Sequence, residues 1–193
     1  MSEISDKYRH RADLFEAKVT AVKPDQWSNQ SPCDEWSARD VVGHIIDMHG
    51  VMLRGLGRDP TPGPALADDP LDAWKAARHD IERLLDNEKF AAQEVDTPGG
   101  RMTVEQHVDE VASMDLVVHG WDLAKATGQD DTIDPNEVEK LWPALKDLPP
   151  EMYEPEAFGP GIVVFGPKVD VPEGASLQAR LLGAVGRDPD FQP

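Results

Sequence analysis

The sequence has little of three things: cysteine, positive charge and uninterrupted apolar sequence. Cys33 is the only cysteine among 193 residues, which excludes an intramolecular disulfide and any zinc site built from several cysteines. The 19 Lys and Arg residues are outnumbered by 37 Asp and Glu residues, and the formal net charge of -18 argues against binding to nucleic acid or to an anionic membrane surface. No apolar run is long enough to span a membrane, and the segment Met1–Asp6 is polar and acidic rather than a secretory signal. We therefore expect a cytoplasmic protein in which any metal ion is held by histidine and carboxylate side chains.

Apolar residues recur at spacings of three and four in four long segments, which is the pattern of amphipathic helices. Local signals mark the helix ends. Pro24 ends the first helix, Ser37 with Asp40 begins the second, and Thr103 with Gln106 forms a capping box for the fourth. The predicted helices cover Ser5–Val22, Ser37–Leu56, Leu71–Asn87 and Thr103–Ala126.

The C-terminal part carries shorter patterns. They predict a fifth helix at Pro135–Leu145, a small hairpin that pairs Ile162–Phe165 with Val169–Val171, and a closing helix at Ser176–Val185. The length of 193 residues fits one domain with a substantial core.

Four long helices with mostly loop-like connections predict an all-α fold. We expect a four-helix bundle over residues 1–148, and a small extension of hairpin plus helix over residues 149–193 that packs on it as part of the same domain. The turn-rich Pro98-Gly99-Gly100 is expected to join two short strands between Glu94 and Met102.

A carboxylate and a histidine lie four positions apart in the fourth predicted helix, where the apolar pattern requires core residues. In the stretch Asp115-Leu116-Val117-Val118-His119-Gly120-Trp121-Asp122, the side chains of Asp115 and His119 differ by only about 40° in direction on a helix of about 3.6 residues per turn. An isolated carboxylate at an inward position is unfavourable by several kcal/mol unless a positive group lies beside it. A metal ion bound by the pair would remove this penalty.

His44 is the best candidate for a third ligand, because it is a polar residue in the apolar stripe Val41-Val42-Gly43-His44-Ile45-Ile46. Alone, such a histidine is more often a hydrogen-bonded core residue, but the pair in the fourth helix favours the metal interpretation. We predict that His44, Asp115 and His119 hold one divalent ion, and three protein ligands leave a coordination position open, as in catalytic zinc sites. The other histidines, His10, His49, His79 and His107, are assigned no ligand role.

Three stretches together resemble one protein family. They are Trp36–His44, Asp115–Gly128, and Arg180-Leu181-Leu182 with the terminal Gly186-Arg187-Asp188-Pro189. The chain resembles the mycothiol-dependent maleylpyruvate isomerase metal-binding family, part of the DinB-like superfamily. The resemblance covers most of the chain, and the His119-Gly120-Trp121-Asp122-Leu123-Ala124 run is similar to the short actinobacterial members.

The resemblance implies a DinB-like four-helix bundle whose divalent ion is held by a histidine on the second helix and an acid-x-x-x-His pair on a later one. These ligands match His44, Asp115 and His119. It further implies mycothiol or a similar thiol as cosubstrate, in an isomerase or a thiol transferase acting on a small electrophile. Two differences are that the characterised isomerase has Glu at the place of Asp115 and that its C-terminal part is longer.

The ligand set leaves the ion and the activity open. Histidine and carboxylate ligands suit zinc, our first choice, and also nickel, iron(II) or manganese, and two histidines with one acid are equally the facial triad of non-haem iron oxygenases. No residue has the setting of a dedicated general base, so no catalytic residue is assigned. The alternative function is a non-catalytic bundle that binds a metal or a small ligand. The expected partners are a small thiol and an electrophile, and a homodimer is compatible with the sequence.

Five other features keep open roles. Asp122 either orients a ligand imidazole or is solvated near the helix end. Arg187, in the second of two Gly-Arg-Asp-Pro copies, belongs to a helix terminator or contacts an anion at the site. Trp36 either lines a pocket or simply packs. Cys33 is either a thiol near the site or, as Pro32 and Asp34 suggest, only part of a turn before the second helix. The loop Arg58–Pro70 is expected to supply substrate-side residues.

Overall fold

The computed structural model describes residues 2–97, 100–155 and 163–193, and the described part contains the four predicted bundle helices. Both predicted capping boxes are confirmed, with Ser37 and Asp40 closing one and Thr103 and Gln106 the other. The bundle helices are α1 (Glu3–Ala21), α2 (Ala38–Gly55), α3 (Pro70–Asp86) and a segmented fourth helix of α5 (Val104–Val108), a π-helical turn (Asp109–Ser113) and α6 (Met114–Thr127).

Smaller elements connect and extend the bundle. The two predicted short strands are present, antiparallel, with Glu94 paired to Thr103 and Thr97 to Gly100, while residues 98 and 99 lie outside the described part. The smaller elements are α4 (Glu88–Ala91), β1 (Glu94–Thr97), β2 (Gly100–Thr103), α7 (Pro135–Leu145), a 3₁₀ turn (Pro150–Tyr153) and α8 (Leu177–Ala184).

Helix packing produces one main core and one smaller one. In the bundle, α1 and α2 each pack against both α3 and α6, so that α1 lies diagonally opposite α2. Large side chains such as Phe15, Ile45 and Trp74 fill the space between them. A second apolar cluster, including Val118 and Leu181, joins α6 to α7 and α8. The predicted all-α bundle is confirmed, and no helix in the described ranges combines the length and apolar character needed to cross a membrane.

The C-terminal extension differs from the predicted hairpin. Within residues 162–171, the described ones, from 163 onward, form no β-strand. The backbone N–H of Phe165 instead donates to a carbonyl of the 3₁₀ turn at 3.2 Å, and that of Val169 donates to the Gly183 carbonyl in α8 at 2.9 Å. This approach requires glycine, because a Cβ on Gly183 would lie 2.5 Å from the Val169 carbonyl oxygen. The segment is therefore tied to neighbouring helical elements rather than to itself.

Candidate metal centre

The three predicted ligands, His44, Asp115 and His119, come together where α2 packs against α6. One potential ligand atom from each residue lies within 4.8 Å of the other two. His44 Nε2 lies 3.9 Å from Asp115 Oδ2, and the ring centroids of His44 and His119 are 4.7 Å apart. Two imidazoles and one carboxylate thus converge on a small space.

The Asp115 carboxylate is poorly compensated. Its side chain is 18% exposed, and its contact with His44 Nε2 at 3.9 Å is beyond hydrogen-bond distance. Burial raises the pKa of Asp115, although the nearby His119 and Arg187 oppose this effect. A cation placed between the carboxylate and the two histidines would relieve the penalty.

His44 offers a nitrogen lone pair at neutral pH. Burial, reinforced by the nearby His119 and Arg187, lowers the pKa of His44 to about 3, so a metal ion would not compete with a proton there. Trp36 lies against both histidines, with its ring centroid 4.8 Å from that of His44 and 5.9 Å from that of His119. Of the two roles left open for Trp36, the structure therefore favours the one that lines the site.

Asp122 orients His119. The two side chains are joined by a hydrogen bond of 2.8 Å between His119 Nδ1 and Asp122 Oδ2. Because a carboxylate accepts, Nδ1 carries the proton and Nε2 is left with the lone pair. Asp122 is fully buried, so the solvated alternative does not apply. A carboxylate behind a ligand imidazole in this way fixes both its tautomer and its orientation.

Arg187 supplies the positive charge beside Asp122. Its Nη2 donates to Asp122 Oδ2 at 3.0 Å, and its Nη1 donates to the Val185 carbonyl oxygen at 2.8 Å. Burial by itself would raise the pKa of Asp122, but Arg187 and the hydrogen bond from His119 outweigh it and lower the pKa to about 2. The second Gly-Arg-Asp-Pro copy thus reaches the site. In the first copy, Arg58 is exposed and lies over the Phe90 ring at 4.1 Å.

Cys33 also reaches this cluster, so of its two alternatives the structure favours a thiol near the site over a turn residue alone. Its thiol donates to Asp122 Oδ2 at 3.3 Å, and Arg187 Nη2 lies 3.3 Å from the sulfur. Potential ligand atoms of Cys33, His119 and Asp122 lie within 4.8 Å of one another, so they form a second donor set. The Arg187 guanidinium already provides the cation there. Burial and the nearby Asp122 raise the pKa of Cys33 to about 12, which keeps the thiol protonated at neutral pH. The set formed by His44, Asp115 and His119 therefore fits a divalent ion better.

The loop Arg58–Pro70 packs over α2 and α3 rather than supplying a residue to the three-ligand cluster. It covers a cavity of about 320 Å³ between α2 and α3, and none of the three lines this cavity. The loop is held to α3 by Asp80, which accepts from the backbone N–H and the hydroxyl of Thr61, each at 2.7 Å. His49 also lines the cavity and is fully buried, so it belongs to the core and not to the candidate centre.

The chain is similar to known sequences over most of its length. Residues 8–124 match the family described as Mycothiol maleylpyruvate isomerase N-terminal domain. Two relatives are Uncharacterized protein MT0763 of Mycobacterium tuberculosis strain CDC 1551 / Oshkosh and Uncharacterized protein Rv0738 of strain ATCC 25618 / H37Rv. Each is 30% identical over 158 residues, which cover 77% of this chain and 81% of the relative. No solved structure was found to match. The family match includes the three candidate ligands and Asp122, whereas Arg187 lies beyond it.

Proposed function

The chain belongs to the mycothiol maleylpyruvate isomerase N-terminal domain family, and from this membership and the geometry we propose that it binds one divalent metal ion and uses it to activate a small thiol. The residues proposed to hold the ion are His44, Asp115 and His119. The observation that carries the proposal is their convergence within 4.8 Å, around a carboxylate whose pKa is raised by burial. Zinc is the proposed ion, because it favours this kind of ligand set.

The chemistry proposed for the site follows from its open coordination. When bound, a divalent ion supplies a position at which a thiol loses its proton near neutral pH. This suits reactions in which a thiol adds to an electrophilic carbon. An isomerase would add the thiol to a carbon–carbon double bond, allow rotation about the resulting single bond and eliminate the same thiol. A transferase would leave the thiol attached to the electrophile.

The protein's own residues prepare the site for this role. Asp122 holds the proton at His119 Nδ1 and thereby keeps Nε2 available. Burial keeps His44 unprotonated at neutral pH. The Trp36 indole packs against both ligand histidines and covers one side of the site. These contacts support a ligand set that is already arranged before the ion arrives.

Removal of either ligand histidine is expected to abolish stoichiometric zinc binding. Wild-type protein loaded with Zn²⁺ and desalted should retain about one equivalent per chain by elemental analysis. The variants His44→Ala and His119→Ala should lose it, with affinities weakened by more than the roughly 100-fold that loss of an outer partner of a metal ligand causes. The matched control is His79→Ala, since His79 is exposed on α3 and should leave zinc content unchanged. Full zinc content in both ligand variants would contradict the proposal.

Thiol chemistry needs a separate test. Zinc-loaded and metal-free protein would be incubated with mycothiol and a panel of electrophiles that includes activated alkenes, epoxides and alkyl halides. We expect thiol consumption or alkene isomerisation that depends on the metal and is absent in His119→Ala. Zinc binding without any metal-dependent turnover or thiol binding would instead favour the non-catalytic alternative.

A further inference from the structure

A π-helical turn at Asp109–Ser113 interrupts the fourth bundle helix two residues before Asp115. Such a turn holds about one residue more than an α-helical turn, and each residue of an α-helix rotates the chain by about 100°. Ala112 and Ser113 are the buried residues of the turn, and Val111 packs against the main core while only partly buried. The π turn therefore helps to set the direction in which α6 presents Asp115 and His119.

Two residues of α1 hold the π turn at its two ends. Lys7 Nζ donates to Asp109 Oδ2 at 2.6 Å, and Arg11 Nη1 donates to Ser113 Oγ at 3.0 Å. The other oxygen of Asp109 is buried without a hydrogen-bond partner in the described part of the chain and lies 4.0 Å from Arg11 Nη1. Lys7 and Arg11 are one helical turn apart, so they face the turn together.

Arg11 is itself held from the opposite side by α7. Its side chain is 3% exposed, and its Nε donates to Glu137 Oε2 at 2.6 Å, while Nη2 lies 2.5 Å from the same oxygen. Burial by itself would raise the pKa of Glu137, but Arg11 outweighs it and lowers the pKa. A buried ion pair contributes little net stability compared with apolar residues of the same size, and its best-attested role is to specify one arrangement over others.

We propose that Arg11 is a positioning residue for the metal centre. Its contacts with Ser113 and Glu137 hold the π turn, and this fixes the rotation of α6 about its axis at which Asp115 and His119 face His44. The inference rests on the proposed function, because its first test measures metal affinity. A second test uses the metal-free protein and does not depend on metal binding.

The main test replaces the pair together, as Arg11→Met/Glu137→Leu, so that no unpaired charge is left buried. Zn²⁺ affinity, measured by competition with a chromophoric chelator, should fall about 10–100-fold, as for loss of other groups that orient a metal ligand. The absorption bands of bound Co²⁺ should shift, because the ligand geometry changes. Ser113→Ala, which removes only the hydroxyl, should change both measurements in the same direction and by less.

Arg78→Met is the matched control. Arg78 of α3 pairs with Asp13 and Glu16 on another face of α1 at 2.6 and 3.0 Å, so its loss disturbs α1 without touching the π turn. Zn²⁺ affinity and the Co²⁺ spectrum should stay at wild-type values. An equal loss of affinity in Arg78→Met and in the Arg11 variant would overturn the inference, because both changes would then act through general destabilisation.

The second measurement is amide hydrogen exchange of residues 114–119 in the metal-free protein. Exchange should be faster in the Arg11 and Ser113 variants than in wild type, and unchanged in Arg78→Met. Wild-type binding of Zn²⁺ together with unchanged affinity and exchange in the Arg11 variant would overturn the positioning role and leave the proposed function standing. Failure of wild type to bind Zn²⁺ would overturn the proposed function. In that case, faster exchange in the variants would still support the role of Arg11 in holding the π turn.

Discussion

Replacement of Arg187 by Met is expected to lower the free energy of unfolding by about 3–5 kcal/mol, the usual effect of removing one partner of a buried ion pair. Asp122 is fully buried, and the Arg187 guanidinium lies 3.0 Å from its carboxylate. Without the guanidinium, the carboxylate keeps, among the described residues, the hydrogen bonds from His119 and Cys33. Urea denaturation at neutral pH, followed by tryptophan fluorescence, measures the loss.

The chain contains its own control for this substitution. Arg58 stands at the same position of the other Gly-Arg-Asp-Pro copy but is exposed, and its guanidinium lies over the Phe90 ring. Arg58→Met should therefore reduce stability by no more than about 1 kcal/mol, the size of an exposed cation–π contact. The double variant Arg187→Met/Asp122→Leu should recover much of the loss, because no unpaired charge remains. Equal effects of Arg187→Met and Arg58→Met would refute the assigned ion pair.

Acidification is expected to destabilise the protein through His49. The ring is fully buried, its Nδ1 donates to the Ile45 carbonyl oxygen at 2.8 Å, and its Nε2 accepts from the Tyr8 hydroxyl at 2.9 Å. Burial, opposed by the backbone hydrogen bond to Ile45, lowers the pKa of His49 from 6.5 to about 4. The unfolded chain therefore takes up a proton first, so the stabilisation is complete above pH 6.5 and is lost progressively as the pH falls to about 4. A shift of this size corresponds to a total of about 3 kcal/mol.

The effect is measured as a difference between proteins, because other groups also titrate in this range. Between pH 7.5 and pH 4.5, His49→Gln should lose about 2.5 kcal/mol less unfolding free energy than wild type, since the amide keeps a partner for Tyr8 but does not titrate. His79→Gln, an exposed site, should follow the wild-type curve. An identical pH dependence for His49→Gln and wild type would rule out His49 as the source.

The fold could be predicted from sequence where the determinants are local. The amphipathic periods and the caps at Ser37 and Thr103 lie within the helices that they specify, so the four bundle helices and the spacing of Asp115 and His119 were accessible. The π turn was not. Its stabilising contacts come from Lys7 and Arg11, 102 residues away in both cases, and no local pattern records them.

The remaining differences have the same origin. Arg187 is 65 residues from Asp122 and 154 from Cys33 in the chain, so their cluster exists only after the C-terminal segment has packed. The loop Arg58–Pro70 was expected to supply substrate-side residues, but Thr61 bonds to Asp80 and ties the loop to α3. The hairpin expected over residues 162–171 was predicted from β-branched composition, whereas Val169 bonds to α8.

The reach of Arg187 into the bundle also bears on how such proteins can diversify. The arginine lies outside residues 8–124, yet the carboxylate that it neutralises is inside them. A tail exchanged between relatives by recombination must therefore bring a cation to the same point, or arrive together with an uncharged residue at position 122. The C-terminal segment and the bundle are therefore coupled through one buried ion pair.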